Sequence, residues 1–98
     1  MTVYLFASIT PKPEHVAEVE ALTRDMVTQT RKEPGNLEYV MSADPVDPTR
    51  VVLFERWADQ DSFDQHMKVI ASAPRGSGPA PKGMSIKIYD ISGERSFG

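Results

Sequence analysis

No cysteine occurs anywhere in the 98 residues. That excludes disulfides, thiolate metal sites and thiol nucleophiles, and it suits a reducing compartment. Basic charge is also scarce: 11 Lys and Arg stand against 14 Asp and Glu, a formal net charge of −3. With no basic run or patch, nucleic acid and anionic membranes are poor partners. Long hydrophobic runs are missing too. The amino terminus, MTVYLFASITPKPEH, has no charged leader region, and its apolar run is too short for a signal peptide or a membrane span. The expected location is therefore the cytoplasm. Two widely separated histidines, His15 and His66, without a ligand-spaced carboxylate cluster, are weak evidence for metal. No GxSxG, phosphate-binding loop or GxGxxG motif is present.

What is there is one domain, residues 1–98, with the element order βαββαβ. Residues 2–10, TVYLFASIT, are apolar on both parities and end at Pro11 and Pro13. A helix is predicted from about Glu14 to Thr30, with Val16, Val19, Leu22, Met26 and Val27 as its apolar stripe. Pro34 and Gly35 stop it. Residues 36–43 alternate, with Leu37, Tyr39 and Met41 on one face. Residues 50–57 form a third strand, and Asp59 caps a helix near 60–71 whose apolar face is Phe63, Met67 and Ile70. Residues 71–83, ASAPRGSGPAPKG, read as a mobile Pro/Gly-rich loop, a candidate lid. MSIKIYDI is the last strand, with Met84, Ile86 and Ile88 facing inward.

This order builds a ferredoxin-like α+β fold: a four-stranded antiparallel sheet, order 4-1-3-2, with two helices on one face. Strands 1 and 3, apolar on both parities, belong in the centre. Two helices cover only one face, so the apolar residues of the other need a second cover. A second copy of the sheet is the simplest, which predicts a homodimer packed sheet to sheet.

One stretch carries the chemistry. VVLFERWADQDSFDQHM, residues 51–67, places Glu55 inside a hydrophobic strand and His66 at the border of an apolar helix stripe. Rise per residue brings Glu55 and His66 to similar depth if Glu55 points toward the helices. A Glu–His hydrogen bond at the rim of an apolar chamber follows, with Trp57 as wall. The competing reading is structural: Glu55 pairs with a neighbouring cation such as Arg50, and His66 is a satisfied packing residue. His15, in the first turn of the first helix, reads as solvated.

EPG (33–35), Tyr39, FERW (54–57) and His66, in this order and spacing, resemble the antibiotic biosynthesis monooxygenase domain of the dimeric α/β-barrel superfamily. The resemblance covers roughly residues 3–68. It implies a homodimer whose two sheets form a barrel. It also implies, for some members, oxygenation of quinols or polyketide phenols without metal or flavin, hence no cofactor. Under that resemblance His66 is the base that takes a phenolic proton and Glu55 orients it. Trp57, Tyr39 and Phe6 are walls for a small aromatic substrate, and Tyr39 or Arg56 is a donor to developing oxyanions. The sequence also departs from the family. The second histidine that often follows the helix histidine is missing, and the next helical segment is replaced by the Pro/Gly stretch. Strand 1 has no Asn, which speaks against haem degradation. The alternative function is a non-catalytic dimeric small-molecule-binding or stress-associated protein of the same fold.

Overall fold

The structure, a computed structural model, describes residues 1–72 and 81–98. Strand β1 (Thr2–Thr10) leads through a 3₁₀ turn at Pro13–His15 into helix α1 (Val16–Thr30). Strands β2 (Asn36–Ala43) and β3 (Val51–Trp57), helix α2 (Gln60–Ser72) and strand β4 (Gly83–Ile91) complete the chain. All pairings are antiparallel and the sheet order is β2-β3-β1-β4, the arrangement predicted from which strands are apolar on both parities. Pro13 lies at the start of the 3₁₀ turn, so regular α-helix begins two residues later than the sequence suggested.

The pleat sorts the sheet into two unlike faces. Val3, Leu5, Ala7, Tyr39, Leu53 and Trp57 are buried on the helix side, with Phe63 of α2 closing over them. Tyr4, Phe6, Val40, Val52, Phe54 and Arg56 alternate with these and face away. The apolar stripe predicted on α1 is only partly sealed: the helix's one fully buried residue is Thr30, outside the stripe, while Val16 and Leu22 remain exposed. A β-bulge between Asn36 and Glu38 takes Leu37 out of the alternation, and it is exposed rather than packed beside Tyr39.

The expected 71–83 loop is shorter at both ends. Ala71 and Ser72 finish α2 and Gly83 begins β4. The rest of it, residues 73–80, and with it the mobile-lid expectation, lies outside the described residues. No described helix is long and apolar enough to cross a membrane.

Candidate functional site

The turn after α1 and the start of α2 are locked together. Gly35 adopts φ +80°, open to glycine but strained for other residues. A Cβ there would lie 2.0 Å from the Ser62 hydroxyl oxygen, so α2 packs directly onto the glycine backbone. The Gly35 carbonyl also accepts a 2.9 Å hydrogen bond from the Ala58 amide. Asp59 caps α2 as predicted, accepting from the Ser62 amide at 2.8 Å, and that bond holds its carboxyl below the usual range. These contacts aim two side chains at each other: Glu33 from the turn and His66 from the second turn of α2.

His66 is 2% exposed and sits between two carboxylates. Its Nδ1 lies 3.1 and 3.2 Å from the two oxygens of Glu33. Its Nε2 lies 3.6 Å from Glu55 Oε1, beyond hydrogen-bonding distance. A carboxylate only accepts, so Nδ1 is the ring nitrogen placed to donate to Glu33, while Nε2 faces Glu55. Trp57, fully buried, stacks on the imidazole at 4.6 Å between centroids and 30° between planes. Its indole Nε1–H donates to Glu55 Oε1 at 2.9 Å.

Glu55 is 3% exposed on the helix side of β3. Burial pushes its carboxyl up to about 7, and the charge of Glu33 adds to the rise while the Trp57 hydrogen bond opposes it. The strand carboxylate is not a solvated ion-pair partner: Arg50 is engaged by Asp44 at 2.7 Å and by the Ser8 hydroxyl at 2.6 Å.

Both groups open onto a cavity of about 360 Å³ between the sheet and the helices. Its walls are almost wholly apolar: Leu5, Ala7 and Leu53 from the sheet, Leu22 and Met26 from α1, Met67 and Ile70 from α2. This explains the incompletely sealed helix stripes. Those side chains face a hollow instead of a core. Tyr39 lines the same space and donates its hydroxyl to the Met26 sulfur at 3.2 Å. Lys12 and His15 also line it. His15 is half-buried, contrary to the solvated reading, because the 3₁₀ turn rolls it toward the cavity.

Of the residues singled out by sequence, the structure gathers His66, Glu55, Tyr39 and Trp57. Trp57 backs the pair from behind and does not line the cavity. Phe6 and Arg56 are elsewhere. Both have the outward parity, so the sheet itself separates them from His66, and neither is a cavity wall or an oxyanion donor. Phe6 is 42% exposed, and Arg56 pairs with Glu38 and Glu94. The partner of His66 Nδ1 is Glu33, which the sequence reading counted as part of the EPG turn and not as a site residue. Its sequence signal was adjacency to a Pro-Gly turn, which says nothing about what the turn docks against.

The model of the family described as antibiotic biosynthesis monooxygenase matches residues 2–69. Among solved structures, a conserved protein from Methanosarcina mazei is 28% identical with a TM-score of 0.78, over 91% of each chain. The Rv0793 protein of Mycobacterium tuberculosis is 22% identical with a TM-score of 0.77, covering 98% of this chain and all of that one. A structure described as an antibiotic biosynthesis monooxygenase is 24% identical with a TM-score of 0.72, covering 93% and 99%. No curated protein sequence matches the chain.

Proposed function

Since the chain belongs to the antibiotic biosynthesis monooxygenase family, we propose that it oxygenates an apolar phenol or quinol bound in the Glu55–His66 cavity. The observation that carries this reading is the placement of a buried carboxylate–imidazole–carboxylate array at one end of an otherwise apolar cavity. A cavity of this size and lining suits a compact aromatic molecule.

The chemistry is available without a redox cofactor when the substrate supplies every electron. A phenol whose keto tautomer carries a CH₂ group is such a substrate: in the phenol form that carbon is an aromatic C–H, its second hydrogen having become the O–H proton. Its O–H bond breaks, the electron pair stays on oxygen, and the proton goes to the Glu55–His66 pair. The electron-rich phenolate then passes one electron to O₂, and the two radicals combine at the CH₂ carbon to form a C–O–O bond. Loss of water leaves a carbonyl. In sum CH₂ and O₂ become C=O and H₂O, with both oxygen atoms accounted for. Glu33 holds the imidazole in the tautomer whose Nε2 can accept, and the Trp57 stack fixes the ring plane. The Tyr39 hydroxyl rests on a weak acceptor, the Met26 sulfur, and can turn to a developing oxyanion in the cavity.

A second copy of the chain belongs to this reading as the cover for the outer sheet face, where Phe6, Val40 and Tyr89 are exposed on three strands of one sheet.

The test is oxygen uptake by the protein with a panel of such phenols and quinols, chelator present and flavin absent, under ¹⁸O₂. The expected result is one labelled oxygen in the product carbonyl and one O₂ consumed per product. Tight binding of these compounds with no oxygen uptake across the panel contradicts the proposal and leaves a small-molecule-binding protein.

A further inference from the structure

The array has an inside and an outside. Glu55 and His66 are 3% and 2% exposed, so neither exchanges protons with water directly. The side chain of Glu33 is 15% exposed, the most open of the three. In order along the array the groups are Glu55, His66 Nε2, His66 Nδ1, Glu33 and solvent, with separations of 3.6 Å and 3.1 Å on the two sides of the ring. Orienting a histidine needs one carboxylate. Glu55 is oriented by the indole of Trp57 and not by the ring. The second carboxylate also raises the protonation of the first, a poor arrangement for structure alone.

We infer that Glu33 is the outer end of a proton path that connects the cavity to solvent through the His66 ring. This rests on the function proposed above only for the source of the proton. A proton gained by Glu55 passes to Nε2, Nδ1 releases its own to Glu33, and Glu33 gives it to water. No net charge accumulates in the cavity. The starting tautomer returns when Nε2–H gives its proton back to the cavity, where the peroxide needs one to leave as water, and Nδ1 takes one from Glu33, so the path carries protons in both directions. The step from Glu55 to Nε2 needs an approach of roughly 0.6–0.8 Å to reach hydrogen-bonding distance. The step from Nδ1 to Glu33 is already at that distance. The docking of Gly35 on Ser62 is what keeps the outer end in place. Glu33 acts through His66 and touches no substrate, so it is a positioning and relay residue.

The path is testable without any substrate, on uniformly ¹⁵N-labelled protein by NMR. In the wild type, the ring N–H of His66 should exchange with water at least ~10-fold faster than the backbone amide of Met67, which lies in the same helix and exchanges only through opening. Equal rates mean that the ring is reached by opening alone and overturn the inference. Glu33→Gln keeps an acceptor for Nδ1 but cannot carry a proton. It should slow the ring exchange by ~10-fold or more with little change in thermal midpoint, and Glu33→Asp should restore part of the rate. Ring exchange in Glu33→Gln as fast as in the wild type assigns Glu33 to orientation only and overturns the path. Dependence of exchange on Glu33 in a protein that oxidises no phenol would sink the proposed function and leave the path standing.

Discussion

A carboxyl that titrates near neutrality makes the protein's stability respond to pH in a direction opposite to the usual one. The Glu55 carboxyl ionises at about 4.5 in the ordinary case and at about 7 in the fold. Between those values the native state holds more protons than the unfolded chain, so stability falls as pH rises from 4.5 through 7 and is level above. The size is up to about 3 kcal/mol. Urea unfolding at pH 5 and pH 8 should show this loss in the wild type. Glu55→Gln, which keeps an acceptor for Trp57, should remove most of it, and an unchanged pH dependence in that variant would assign the loss to other groups. How far single residues were legible depended on which neighbours decide their role. Glu55 and His66 stood out because a charge in an apolar strand and a histidine beside an apolar stripe break a local pattern. Glu33 did not, because its role is created by a turn-to-helix contact between residues distant in sequence. Phe6 was misplaced because both parities of β1 are apolar, so alternation could not say which parity met the helices.

Among the elements, the turn at residues 33–35 governs the site more than its length suggests. Gly35→Ala meets both a disfavoured φ and the Ser62 side chain. Together these should cost on the order of 2–5 kcal/mol. The double variant Gly35→Ala/Ser62→Gly removes the collision but not the strained backbone, so its denaturant midpoint should recover only in part. Full recovery would show that the backbone conformation carries no cost. The strands were readable from their patterns almost to the residue, since period-two alternation and Pro or Asp-Pro punctuation mark both ends. The helices were readable as helices but not as walls. Val19, Leu22, Met26, Met67 and Ile70 have the spacing of a core face, and amphipathic periodicity is the same whether the face meets packed side chains or a hollow.

For the molecule as a whole, the sheet has two apolar faces and the helices cover one. Phe6, Phe54 and Val40 lie on neighbouring strands of the uncovered face, with Tyr4 packed edge-on to Phe54 at 5.6 Å. A copy of the chain seated there should bury upward of ~1,600 Å² in total. Sedimentation at micromolar concentration should find a dimer, and Phe6→Glu should shift it to monomer, while a wild-type monomer would contradict the sheet-to-sheet packing. The fold class was legible because strand order follows from which strands are apolar on both sides. The cavity was not, since it is a property of how the helices stand off the sheet. The proposed function rests on that cavity and on the buried His66 beside it, and both can be tested on one variant. Turnover of a phenol substrate per folded molecule should be measured for His66→Ala beside its thermal midpoint. Loss of the base should slow turnover ~10²–10⁴-fold, the range for general acid–base catalysis, with the fold largely retained. A His66→Ala protein that melts early and yet turns over at the wild-type rate would show that the histidine serves packing and that the cavity does not work through it.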